Sequence, residues 1–82
     1  MPETPAATST LAFSFYGTRN QCGKITSMIR TRCSYLGVEE PLFTQTRHGV
    51  LRNNYDVLVS GNRDRLEELN RWWNGTRTGW HE

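Results

Sequence analysis

Leu11, Phe13 and Phe15 alternate with Ala12, Ser14 and Tyr16, and a few residues later the apolar positions change to helical spacing. That change of period constrains the fold more than any other feature. A period of two buries one face of a strand, and a period of about 3.6 buries one stripe of a helix. Leu11–Tyr16 reads as a half-buried strand ended by Gly17. Residues 21–36 put Cys22, Ile25, Met28, Ile29, Cys33 and Leu36 on one helical stripe, and Gly37 is a natural C-terminal stop. Arg32 lies within that stripe and Arg30 points away from it. Leu42–Thr46 reads as extended, with Thr44 and Thr46 in favour. Two turns compete next: His48-Gly49 suits a hairpin, and Asn53-Asn54 tolerates left-handed backbone. Tyr55–Val59 is the cleanest strand, with Tyr55, Val57 and Val59 on one face, closed by Ser60-Gly61-Asn62. Asn62 is a good N-cap, and Asp64, Glu67 and Glu68 lie near the positive end of the next helix. Its buried stripe is Leu66, Leu69, Trp72 and Trp73, Glu67 can pair with Arg71, and Asn74-Gly75 reads as its stop.

The order is strand, helix, strand, strand, helix. Two amphipathic helices must then cover one face of an antiparallel sheet, which is an α+β arrangement. A ferredoxin-like two-layer sandwich of split β-α-β form is the natural solution, with room for a short final strand at Thr76–Trp80. The chain has 82 residues, which suits one small domain. Residues 1–9 offer nothing to bury and read as a disordered tail, leaving 10–82 as a single domain. No apolar run approaches the roughly 18 residues of a membrane span, and the first residues lack the pattern of a signal peptide. A cytoplasmic protein without membrane contact is the expectation, and two cysteines are too few for a disulfide framework.

Formal net charge is only +2, but it is unevenly placed. Nine of the ten cations are arginine, with Lys24 the only lysine. No acid occurs between Glu3 and Glu39, a stretch that carries Arg19, Lys24, Arg30 and Arg32. An anionic ligand should prefer this half of the chain. Within it, Gly17–Thr26 joins a strand to a helix start, where free amides and the helix dipole favour anions. The candidate anion-binding residues are Gly17, Thr18, Arg19, Asn20, Gln21, Cys22, Gly23 and Lys24. The string falls short of a nucleotide-binding P-loop: five residues separate its glycines, and Ile25 follows Lys24 where Ser or Thr is needed.

From Leu11 to Trp73 the pattern resembles the acylphosphatase family. LAFSFYG leads into the first loop, and VLVSGNRDRLEELNRWW is similar to the family's strand, glycine and tryptophan-ended helix. The resemblance implies a ferredoxin-like fold and a loop of the form G-x-V-Q-G-V-x-F-R. Loop amides and an arginine would hold phosphate there, and an asparagine would orient the attacking water. The motif arginine falls on Ile25 or Thr26, so it is missing in either register. Arg19 or Lys24 could substitute, with Lys24 the candidate catalytic cation, and Asn53 is the candidate water-orienting residue, with Asn54 an equal alternative. Phosphate or an acyl phosphate is the implied ligand, and acyl-phosphate hydrolysis the implied chemistry. Lysine does not reproduce the bidentate fork of arginine, which weighs against retained activity.

The family's final strand lies beside the first one. Without it, Leu11–Tyr16 is an open edge, which invites a homodimer or a protein partner. Nucleic acid is the weaker partner, because the charge is small and neither the first strand nor Tyr55–Val59 carries the aromatic RNA-stacking motif. Cys22 and Cys33 lie about 16 Å apart on one helix, too far for a disulfide. Cys33 reads as core. Cys22, near Arg19 and Lys24 at a helix start, should have a lowered pKa. His48 and His81 show no metal-ligand spacing, so neither a metal nor another cofactor is implied. Two readings result: an acylphosphatase-like domain that binds or hydrolyses phosphate compounds at Gly17–Lys24, and a non-catalytic module that uses its open edge or its arginines.

Overall fold

The structure, a computed structural model, describes residues 8–81. Its elements run β1 (Thr8–Gly17), α1 (Arg19–Leu36), β2 (Leu42–His48), β3 (Asn53–Asn62), α2 (Arg63–Arg77) and a 3-10 helix (Thr78–His81). The three strands form one antiparallel sheet in the order β1-β3-β2. Both helices share one core with a single face of it. Cys22, Ile25, Ile29, Cys33 and Leu36 of α1 and Leu66, Leu69 and Trp73 of α2 are buried with Phe15, Val57 and Val59. Leu11, Phe13, Phe43 and Tyr55 pack against that cluster from the same face of the sheet. The fold is thus α+β, with two helices against a three-stranded sheet.

The elements start and stop where local chemistry says they should, with four corrections. First, β1 begins at Thr8, where it pairs with Asn62, and Ser9 pairs with Gly61. These two residues are sheet, not tail; the rest of the expected tail, residues 1–7, lies outside the described residues. Second, Asn53 and Asn54 are ladder residues of β3, and the reversal falls at Gly49–Arg52, closed by the Gly49 amide on the Arg52 carbonyl at 3.0 Å. Third, α2 runs through Asn74-Gly75 to Arg77. A single glycine costs a helix only about 1 kcal/mol, and Leu69 and Trp73 already anchor this one. Fourth, residues 76–81 are helical, so the short final strand does not form. The ion pairs among the described residues are Arg30–Glu40 and Arg65–Glu68, not Glu67–Arg71.

Other expectations hold in detail. Gly37 takes the left-handed conformation (φ 72°), and the Gly37 and Val38 amides close the end of α1 on the Ser34 and Cys33 carbonyls. Asn62 caps α2 by accepting from the Asp64 amide at 2.9 Å. Arg32 lays its guanidinium over Tyr35 and Trp72, and Arg30 reaches over Phe43. These are stems and planes packed on aromatic surface with the charge at the rim.

Candidate functional site

The turn from β1 into α1 is a single residue, Thr18, and not a loop. Arg19–Lys24 form the first turns of the helix. Thr18 and Gln21 make a reciprocal cap: the Thr18 amide donates to Gln21 Oε1 at 2.8 Å, and the Gln21 amide donates to Thr18 Oγ1 at 3.2 Å. The Cys22 amide goes to the Thr18 carbonyl at 2.9 Å. The chain's own groups therefore take most of the donors that an anion would need, leaving the amides of Arg19 and Asn20 outside the box. Gly23 is an ordinary helical residue where a β-carbon would meet open space among the described residues.

Cys22 turns inward. Its thiol is buried and points at the carbonyls of Gly17 and Asn53, at 3.6 and 3.7 Å. Burial pushes its pKa up, opposite to the expected lowering by the helix start and its cations. Desolvation of the thiolate outweighs the helix start and its nearby cations. Cys33, in the core as expected, is pushed up to about 11 by the same cause.

The two candidate catalytic residues are not brought together. Lys24 lies on a cleft of about 640 Å³ between the end of β1, α1 and the last turn of α2, together with Gln21, Met28 and Arg77. Asn53 lies on a separate cleft of about 600 Å³ with Arg19, Gln45, His48 and Tyr55. Asn53 is buried, and its Oδ1 accepts from Gln45 Nε2 at 3.1 Å. It is held by the sheet as a structural polar pair. The Asn54 side chain falls on the other face of β3, where its Oδ1 is buried without a hydrogen-bond partner among the described residues. Gln45, His48 and Tyr55 escaped sequence reasoning. A bulge at Thr46, between the pairs Gln45–Tyr55 and Arg47–Asn54, returns His48 to the face of Gln45. Strand parity would have found Gln45, but nothing in the sequence marks the bulge.

No group of three or more His, Cys, Asp or Glu side chains among the described residues could hold a metal ion. No helix among the described residues is long and apolar enough to cross a membrane.

The edges of the sheet differ more than its clefts. β2 has seven residues, carries the bulge and ends in Arg47-His48. β1 is ten residues long, TSTLAFSFYG, with no charge, no proline and an unbroken register along β3. Among the described residues β3 is its only strand neighbour. Comparison with protein families, curated proteins and solved structures found no match to this chain.

Proposed function

We propose that this chain is a non-catalytic interaction module that joins another polypeptide by strand addition at the β1 edge. The observation that carries the reading is the character of that edge: long, regular, uncharged and free of proline. Edges that must stay alone are normally blunted by charge, proline or a bulge, as β2 is. The order β-α-β-β-α with strands arranged β1-β3-β2 is compatible with a ferredoxin-like sandwich that lacks its last strand. The added strand would take the place of that last strand. Hydrolysis is not part of the reading. The one-residue turn at Thr18, its closed cap and the separation of Lys24 from Asn53 all count against it. The test uses a synthetic peptide copying Thr8–Gly17, titrated into dilute isotope-labelled protein. Saturable shifts and new exchange protection along β1, lost in an A12K/S14K variant, support strand addition. No shifts, or shifts along β2, overturn it.

A second reading is favoured by the cleft around Arg19. Arg19, Gln45 and His48 line one cleft at the start of α1, and no carboxylate among the described residues lines it. Phosphate or a related anion fits that chemistry. Titration with inorganic phosphate at fixed ionic strength tests it. Saturable shifts at Arg19, Asn20 and His48 support a local site, and weak shifts scattered over Arg30, Arg47 and Arg52 contradict it.

A further inference from the structure

We propose that the strand added at β1 comes from a second copy of this chain, paired antiparallel about a two-fold axis at Phe13, with α2 packed against α2 of the partner subunit. The inference rests on the edge reading above and names its partner.

Three features bear on this pairing, and the third sets its axis. The first is parity. In an antiparallel pair, residues directly opposite point to the same face, so a two-fold axis must pass through a residue of β1. An axis at Phe13 pairs Ser9–Gly17 with its own copy. Leu11 then meets Phe15 of the partner subunit on the helix-covered face, and Ala12 meets Ser14 of the partner subunit on the other.

The second is the helix layer. α2 packs over both β1 and β3; a helix centred between two strands lies about half a strand spacing inside the edge. With strands about 4.8 Å apart, the two copies of α2 would run some 10 Å from each other. That is the ordinary packing distance of two helices. A continuous six-stranded sheet therefore brings them into contact without a gap.

The third is charge. Arg63, Glu67, Asn70, Asn74 and Arg77 recur every three or four residues along one side of α2. Arg63, Glu67 and Asn70 share a groove with Ser9–Leu11, and Arg77 lines the cleft of Ser14–Gly17 together with Gln21 and Lys24 of α1, so this stripe borders β1 near both of its ends. Trp72, on the opposite side, takes Arg32 of α1. Phe13 meets the tilted ring of Trp73 at 4.5 Å, and with the two grooves this sets the axis near residue 72 of α2. Antiparallel helices about that point place Glu67 opposite Arg77 of the partner subunit and Asn70 opposite Asn74 of the partner subunit. Both contacts occur twice by symmetry. Glu67 and Arg77 are exposed, and neither belongs to an ion pair within the chain among the described residues. A partner with the same stripe, reversed, complements them.

Sedimentation equilibrium of the full chain, with circular dichroism as a folding control, tests the proposal. Wild-type protein should dimerise reversibly. E67R and R77E should each weaken the dimer by about tenfold, since each replaces two attractive pairs with two repulsive ones. The double variant E67R/R77E should recover wild-type dimerisation, and an equal mixture of E67R and R77E should form the heterodimer in preference to either homodimer. A wild-type monomer at every concentration, or dimerisation indifferent to these charges or to A12K/S14K, overturns the proposal. If the Thr8–Gly17 peptide adds to β1 while wild-type protein stays monomeric, the second copy is overturned and strand addition stands. If neither occurs, both fall.

Discussion

The ring of Phe13 lies against that of Trp73, with centroids 4.5 Å apart and planes tilted by 36°. Phe15 approaches the same indole at 6.0 Å, and Trp73 is only 2% exposed. Trp73 is therefore the residue that clamps α2 onto the free-edge strand. Trp73→Ala should cost about 3–5 kcal/mol of folding stability, and Trp73→Phe distinctly less. Urea denaturation of the two variants measures the difference, and equal losses would contradict the clamp.

The cap at the start of α1 is self-contained. Thr18→Ala removes the acceptor for the Gln21 amide and should cost about 1 kcal/mol. Gln21→Ala removes the acceptor for the Thr18 amide and should cost a similar amount. The double variant should lose less than the sum of the two, because each half positions the other. A double-mutant cycle by chemical denaturation checks the coupling.

Gly61 faces Val38, where α1 hands the chain back to the sheet. A β-carbon at Gly61 would meet Val38 Cγ1 at 2.9 Å and Cβ at 3.0 Å. Gly61→Ala should destabilise by about 1–3 kcal/mol through overpacking. Adding Val38→Ala should recover part of that loss, which thermal melts of the single and double variants would reveal.

Burial raises the Cys33 thiol from 9.0 to about 11. Above pH 9.0 the unfolded chain gives up this proton while the folded chain keeps it, so folding takes up a proton in that window. Stability present below pH 9.0 is therefore lost as the pH rises toward about 11. Cys22 acts in the same direction. Denaturation across that range should show the decline, and Cys33→Ala should flatten it. Both thiols should also react slowly with iodoacetamide at neutral pH in the folded state, because both are buried and protonated.

The architecture was legible where side-chain period carries it. Tyr55, Val57 and Val59 alternate, the Cys22–Leu36 stripe holds helical spacing, and Gly37 and Asn62 mark helix ends by chemistry that local sequence displays. The errors arose where tertiary contacts overrule local preference. Asn53-Asn54 looks like a turn, yet Asn53 finds Gln45 across the sheet and is drawn into the ladder. Asn74-Gly75 looks like a helix stop, yet Trp73 holds α2 to the core and the helix continues. The connection into α1 departs from the loop that the resemblance implies for a similar reason. Thr18 and Gln21 close the helix start in one residue, and a resemblance that tolerates an inserted residue cannot distinguish a short cap from a cradle. The sequence shows the edge strand only as Leu11–Tyr16; its extension to Thr8–Gly17 depends on pairing along β3, which local pattern does not display.

The most direct measurement of the central claim is amide hydrogen exchange along β1 at low and high protein concentration. The amides that point toward β3 are protected by the ladder at any concentration. Pairing at the edge predicts that the alternate amides of Ser9–Gly17, those directed away from β3, become protected as concentration rises, while β2 is unchanged. Exchange of those alternate amides that stays fast at every concentration would contradict the account.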